Sequence, residues 1–340
     1  MLVILVNLME NMKTKQNNKI LEVNNLVKDF VLKQKFSSNS PGILKAINNV
    51  SFSLNKGETL GIVGESGCGK STLARCILRL IEPTKGSVKF LGKNILSMSK
   101  EEMRQLRKKI QIIFQDPFST LNSKMSVGKI ISEPWAIFKD IVPKKDWDKK
   151  IKNLLISVGL NIEDIDRFPH QFSGGQQQRI GIARALALNP EVIICDEPVS
   201  ALDVSIQAQI INLLKEIQSK TNISLIFISH DLSVVRHISD RVAVMYFGEF
   251  VEFGNVNQIF QNPKHPYTQA LLSAAPTVDF SKKKEIKMLD KEPPSQINPP
   301  TGCPFHTRCL YKKDDCVLTK PDLIKIDNEH WGSCHLIKNS

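Results

Sequence analysis

The string Gly64-Glu65-Ser66-Gly67-Cys68-Gly69-Lys70-Ser71 constrains this chain more than any other feature, because it fits G-x-x-x-x-G-K-[ST]. It follows the apolar run Leu60-Gly61-Ile62-Val63 and precedes a helical pattern over 72–80. In that setting successive backbone N–H groups curl around a phosphate, and the helix N-terminus adds partial positive charge. Residues Gly64, Glu65, Ser66, Gly67, Cys68, Gly69, Lys70, Ser71 and Thr72 therefore form the candidate nucleotide-binding stretch. Lys70 is placed to reach the β- and γ-phosphates, and the Ser71 hydroxyl to ligate Mg²⁺. ATP and Mg²⁺ are the expected ligands.

The surrounding pattern is α/β. Residues 20–31 and 46–54 alternate around Val23, Leu26, Val50, Phe52 and Leu54, which predicts half-buried strands. The runs Leu60–Val63, Val192-Ile193-Ile194-Cys195 and Leu225-Ile226-Phe227-Ile228 are continuously apolar, as buried parallel strands are. From about 115 to 190 helical periodicity dominates, with breaks expected at Asp116-Pro117, Glu133-Pro134 and Phe168-Pro169. Past residue 266 the composition shifts to Pro-rich segments and four cysteines. The expected domains are an extension over 1–19, a cassette over 20–265 with a helical insert at about 115–190, and a C-terminal module over 266–340. The apolar opening Met1–Val6 lacks the basic flank and cleavage site of a signal peptide, and Met9 or Met12 is an alternative start.

A carboxylate pair completes the first chemical reading. Asp196 closes the run 192–195, where it can hold the metal's water shell, and Glu197 follows as a candidate general base. A lone Asp-Glu pair is usually a solvated loop. At the C-terminal end of a buried strand, in a chain with a phosphate loop, the catalytic reading prevails.

Further motifs resemble those of ATP-binding cassette proteins. Ser173-Gly174-Gly175-Gln176, followed by Gln177-Gln178-Arg179, is similar to the family signature. Ser200-Ala201-Leu202-Asp203 resembles the D-loop, Gln115 the Q-loop and His230 the switch histidine, while Phe30 stands where an adenine-stacking aromatic would. The resemblance implies catalytic roles for Glu197, His230 and Gln115, and Mg²⁺ ligation by Ser71, Gln115 and Asp196. It also implies that Ser173 to Gln176 face the ATP of a second cassette, so the working unit is a dimer. The implied fold is a P-loop nucleotide-binding domain with an antiparallel β subdomain, a helical insert and a small cysteine-containing C-terminal module. Gln177 has no reading at this level.

The resemblance extends over most of 20–336. Phe114-Gln115-Asp116-Pro117, Ser119-Thr120-Leu121-Asn122, Pro198 through Gln209, Asn262 through Thr268 and Pro294 through Cys303 look like the oligopeptide and dipeptide importers. Among these the chain is most similar to the F-type ATPase subunits. That implies a D-type partner cassette, two membrane permeases, an extracytoplasmic peptide-binding protein, and a place on the cytoplasmic face of the membrane. The same architecture serves importers of nickel and other small solutes.

Seven cysteines divide by setting. Cys76 and Cys195 lie among apolar residues and read as packing thiols. Cys68, at a helix N-terminus beside Lys70, is expected to have a lowered pKa, to react with alkylating agents and to be protected by ATP. Cys303, Cys309, Cys316 and Cys334 are spaced by five, six and seventeen residues. Importers of this family look like cluster carriers here, so a [4Fe–4S] cluster, Zn²⁺ and no metal all remain open, with His306 and His335 as substitute ligands. Redox control of transport is a further expectation of that kind. The formal net charge of +12 is spread in ones and threes, which describes a solvated surface. A soluble cassette acting on nucleic acid is the alternative class; nothing beyond this charge supports it, and no nucleic-acid partner is expected.

Overall fold

A computed structural model of the protein describes residues 18–32, 42–274, 294–297 and 299–337. The expected extension through residue 17, and most of the loop expected at 37–42, lie outside the described residues. Strands β1 (Lys19–Val31), β2 (Ile43–Asn55), β4 (Lys85–Phe90) and β5 (Lys93–Asn94) form an antiparallel sheet in the order β2-β1-β4-β5. Along β1, Val23 and Leu26 are both buried although two exposed residues separate them. A register shift between Val23 and Leu26, with Asn25 at φ 48, inserts the extra residue as a bulge and returns Leu26 to the core face.

The second sheet runs β11-β12-β10-β9-β3-β8-β7-β6. Its strands are β3 (Thr59–Val63), β6 (Ile110–Ile113), β7 (Val192–Asp196), β8 (Ser224–Ser229), β9 (Arg241–Tyr246), β10 (Glu249–Asn255), β11 (Ile324–Asp327) and β12 (His330–Gly332). The stretch β9-β3-β8-β7-β6 is parallel. All residues of β3, β7 and β8 are buried, which is why these segments read as unbroken apolar runs. Their C-terminal ends share one edge, and the chain leaves that edge at Gly64, Gln115, Glu197 and His230.

The helix after β3 covers Lys70–Ile77, shorter than the pattern over 72–80 predicts. Arg79 adopts φ 50, and its guanidinium bonds the carbonyls of Ile95 and Met98, which turns the chain out of the helix. The helical insert contains Pro117–Thr120, Val127–Ile137, Trp147–Ser157 and Gly174–Leu186. Contrary to the expected break, Val127–Ile137 continues through Pro134. Buried Val127, Ile130, Ile131 and Trp135 hold this helix against the core, and tertiary packing outweighs the proline's missing donor. Trp135 also donates its indole N–H to the Ala187 carbonyl at 2.7 Å, tying the helix to the segment that leads into β7.

Strands β11 and β12 extend the large sheet through antiparallel pairing of β12 with β10. Glu252 on β10 is fully buried and anchors this joint. It accepts from the backbone N–H groups of Lys264 at 2.7 Å and His265 at 2.9 Å, and pairs with Nε2 of His330 at 2.8 Å. Three partners satisfy a carboxylate that burial would otherwise penalise heavily. Among the described residues no helix is long and apolar enough to cross a membrane.

Candidate functional site

A cavity of about 260 Å³ opens at the C-terminal edge of the parallel strands. It is lined by Phe30 and Leu44 from the antiparallel sheet, Ser66, Gly67, Gly69, Lys70, Ser71 and Thr72 from the phosphate loop, and Gln115 and Glu197. Ala46 and Gln296 complete the wall. A larger cavity of about 400 Å³ lies between helices, lined by residues such as Leu154, Pro190 and Ile217. That one is mainly apolar and gathers none of the candidate catalytic groups.

The loop's shape follows from its glycines. Gly69 adopts φ +111, and a Cβ there would meet the Ala46 carbonyl oxygen at 2.3 Å, so a side chain is excluded on both counts. Lys70 is buried, and its Nζ donates to the carbonyls of Gly64 at 2.7 Å and Glu65 at 2.9 Å. The ammonium is thereby fixed inside the loop's curve. Ser71 Oγ donates to Asp196 Oδ1 at 2.9 Å, bringing the two candidate Mg²⁺ ligands together from β7 and the loop helix. Burial raises the Asp196 carboxyl, partly offset by the Ser71 hydrogen bond. A hydroxyl and a carboxylate at this distance, with the Gln115 amide on the same cleft, are the oxygen donors that Mg²⁺ takes.

Glu197 has φ 49, a left-handed conformation that a non-glycine residue adopts at a cost of about 1–3 kcal/mol. Its N–H donates to the Ile228 carbonyl at 3.0 Å, and its carbonyl accepts from Ser200 N–H at 3.3 Å. The turn aims the carboxylate at the cleft, where Oε2 lies 3.3 Å from Nδ1 of His230. The two candidate catalytic groups from β7 and β8 are thus in contact.

Ser173 caps the helix Gly174–Leu186, its hydroxyl accepting from Gln176 N–H, while the Gln176 side chain returns to Ser173 N–H. Gly175 is needed for packing: a Cβ there would lie 2.4 Å from Cγ2 of Ile206 on the helix Val204–Thr221. Asp203 is the N-cap of that second helix. None of Ser173, Gly174, Gly175, Gln176 or Asp203 lines the phosphate-loop cleft. Gln177, unread in the sequence, is buried and donates from its side chain to the carbonyls of Pro169 at 2.9 Å and Phe172 at 3.2 Å. It fastens the turn before the signature to the signature helix.

Cys68 corrects an expectation. It is 5% exposed, and burial pushes its thiol up despite the attraction of Lys70. Sequence proximity to a lysine and a helix start was outweighed by desolvation. Cys76 and Cys195 are buried packing thiols, and burial raises both, Cys76 to about 11. Cys303 is raised by burial to about 11 and also feels Cys316, Cys334 and Cys309. Cys309 and Cys334 are raised by burial first, and each also feels Cys316. The four thiols converge electrostatically. Among the described residues, however, no group of three or more Cys, His, Asp or Glu stands in metal-holding geometry, so this donor set is not closed to fit a cluster or Zn²⁺.

The sequence reading missed Leu44, Ala46 and Gln296 as cleft residues, and Tyr267 and Arg308 as partners of Glu65. Tyr267 and Gln296 fall inside the stretches Asn262–Thr268 and Pro294–Cys303 that carry the importer resemblance, but with no role attached, and Arg308 had no signal beyond its charge. Their placement depends on how the tail folds back.

The ABC transporter family matches residues 47–200, and the oligopeptide/dipeptide transporter C-terminal region matches residues 251–316. The chain is 50% identical to the oligopeptide transport ATP-binding protein OppF of Haemophilus influenzae, over 94% of this chain and 98% of that protein. It is 51% identical to the oligopeptide transport ATP-binding protein AppF of Bacillus subtilis, over 93% and 97% of the two chains. The chain belongs to the ATP-binding subunits of ABC transporters. It is an ABC ATPase. Among solved structures it is similar to the ATP-binding cassette MJ0796, described as a dimer in a post-hydrolysis state with ADP and phosphate. The TM-score there is 0.62 at 29% identity, covering 69% of this chain and 98% of that one.

Proposed function

We propose that this ABC ATPase is the energy-coupling subunit of an importer for oligopeptides or dipeptides. It would sit peripherally on the cytoplasmic face of the membrane, with a D-type partner cassette, two permeases and an extracytoplasmic peptide-binding protein. The observation that carries the reading is a divided site. The phosphate loop, Glu197, Gln115 and Phe30 line one cleft, with Asp196 behind it on the Ser71 hydroxyl, while Ser173 to Gln176 present a capped helix N-terminus elsewhere. A signature that does not line its own chain's phosphate-loop cleft supports pairing with a second cassette. Near-full-length similarity to oligopeptide transport subunits supports the solute class.

In this reading Phe30 stacks on adenine, the loop amides and Lys70 hold the β- and γ-phosphates, and Ser71, Gln115 and Asp196 would hold Mg²⁺. The metal, when bound, supplies positive charge at the phosphate oxygens. Glu197 orients a water and takes its proton as the water oxygen attacks the γ-phosphorus. The bond to the β,γ-bridging oxygen breaks, and ADP and phosphate leave. His230 contacts Glu197 and senses the γ-phosphate. Ser173, Gly174, Gly175 and Gln176 close over the partner's ATP, with Asp203 at the dimer seam. The cassette spans 20–265, with its helical insert gripping a permease helix, and 266–340 forms the C-terminal module. Cys303, Cys309, Cys316 and Cys334 offer the donor type of a [4Fe–4S] cluster or Zn²⁺ but are not gathered around a metal position, so both groups and no metal stand as outcomes of iron, sulfide and zinc analysis of the purified protein.

Uptake of a labelled tetrapeptide, in cells whose sole copy is wild type or Glu197→Gln, tests the whole. Loss of uptake with retained protein level and ATP binding supports it. Unchanged uptake overturns the peptide assignment, and nickel uptake is then the measurement to make.

A further inference from the structure

Glu65 is one of the residues that the pattern G-x-x-x-x-G-K-[ST] leaves unspecified, yet all its polar groups are engaged. Its carboxylate receives two parallel hydrogen bonds from Arg308, Nη1 to Oε2 at 2.8 Å and Nη2 to Oε1 at 2.9 Å. Its backbone N–H donates to the Tyr267 hydroxyl at 2.9 Å. Its carbonyl accepts from Lys70 Nζ. Two of these partners come from the C-terminal 75 residues, far along the chain, and the third is the lysine that reaches the phosphates.

The tail side of this contact is rigid. Arg308 has a side chain 4% exposed and sits in a turn whose N–H donates to the Phe305 carbonyl at 3.0 Å. Phe305 packs edge-on against Tyr246 and Tyr267, with ring centroids 5.4 Å away in each case, and lies 5.7 Å from His265. Preceding it, Cys303 N–H donates to the Cys316 carbonyl at 2.8 Å, and Gly302 has φ +67 in a space where a Cβ would meet that carbonyl at 2.4 Å. On the other side of the loop, Gln296 Nε2 donates to the Gly67 carbonyl at 2.6 Å and lines the cleft. The tail therefore grips the phosphate loop at two points, and at one of them, Gln296, it also forms part of the cleft wall.

We infer that Arg308 and Tyr267 are positioning residues for ATP binding: they hold Glu65, and through its carbonyl Lys70, in the conformation that receives the phosphates. Arg308 has a second effect of the same sign. A carboxylate in the phosphate loop repels a polyphosphate, and the guanidinium neutralises it within a low-dielectric setting where that repulsion is strong. The tail thus sets nucleotide affinity in cis, before any partner cassette arrives. This inference rests on the ATP-binding reading of the cleft.

A double-mutant cycle on the full-length protein tests it, with Kd for ATP measured by equilibrium binding. Arg308→Ala is expected to weaken binding about tenfold. In a Glu65→Ala background, with neither carboxylate to hold nor charge to neutralise, the same change is expected to be nearly silent. An equal loss in both backgrounds overturns the inference, since Arg308 would then act only by folding the tail. Should Arg308→Ala fail to accumulate, Tyr267→Phe removes one oxygen and keeps the aromatic packing. It is expected to raise KM for ATP several-fold while kcat at saturation is retained; an unchanged KM overturns the role of the hydroxyl. Absence of ATP binding by wild type would instead refute the site itself, a separate result.

Discussion

Ser71 Oγ stands 2.9 Å from Asp196 Oδ1, joining the first turn of the phosphate-loop helix to the end of β7. Burial holds the Asp196 carboxyl above the usual carboxylate range. The sign follows directly. Mg²⁺ requires the carboxylate, protons compete for it, and a raised pKa makes that competition begin at higher pH than for an ordinary aspartate. ATPase activity is expected to fall on the acid side as Asp196 protonates, and tenfold more Mg²⁺ is expected to move that limb to lower pH. Asp196→Asn should remove the magnesium dependence of the limb along with most activity. An acid limb that ignores magnesium concentration would count against Asp196 as a metal-site group.

Glu197 is strained in backbone and in contact with His230, an arrangement that costs stability and suits a group held for chemistry. Glu197→Gln keeps the shape and removes the base. Turnover is expected to fall by roughly 10²–10⁴-fold, with ATP affinity within a few-fold of wild type. His230→Ala, which leaves the carboxylate in place, is expected to lower kcat less than Glu197→Gln does. A raised KM with kcat retained in Glu197→Gln would point to a binding role instead. Steady-state ATPase assays with a parallel binding measurement separate the two.

The phosphate loop, the carboxylate pair and the three buried strands were legible because each is local: a string at one strand end, an apolar run of fixed length. Gln115, His230 and Phe30 needed only the order of motifs, and the fold brings Gln115 and Phe30 to one cleft with the loop. What could not be read are contacts set by chain return. Arg308 meets Glu65 across 243 residues, and the pairing of β12 with β10, which fastens a later part of the tail to the sheet, likewise has no local signature. Pro134 and Cys68 misled for a common reason. Each obeys a local rule, helix breaking or thiol activation, that burial in a packed core overrides.

Cys68 is accordingly expected to be among the slowest of the seven thiols to alkylate near neutral pH. Burial restricts access and disfavours the thiolate, whereas Cys309 and Cys334 are only half-buried. Brief labelling with iodoacetamide followed by peptide mass spectrometry should recover label at Cys309 and Cys334 well before Cys68. ATP should change the Cys68 rate little, because the thiol is shielded already. Rapid, ATP-protected labelling of Cys68 would show that the loop opens far more than its packing indicates.

His265 links the cassette to its tail and should make that link pH-dependent. It is buried, its Nδ1 accepts from Tyr267 N–H at 3.0 Å, and its ring faces Phe305, the Glu252 carboxylate and the Ser333 backbone. Burial is the largest influence and lowers its pKa from 6.5 to about 4; the charge of Glu252 and the Ser333 hydrogen bond oppose this. In the unfolded chain the imidazole protonates below about 6.5, while in the fold it stays neutral until about 4. The unfolded state thus binds more protons in that window. Stability is complete above 6.5, declines as pH falls and levels off below 4, a total of about 3 kcal/mol. His265→Asn offers an oxygen acceptor to Tyr267 N–H and cannot titrate there. The stability advantage of wild type over this variant, measured by denaturant unfolding, is expected to be largest at pH 7 and to shrink by most of that amount at pH 4.5. A difference that stays constant across the range would mean that His265 does not carry the titration.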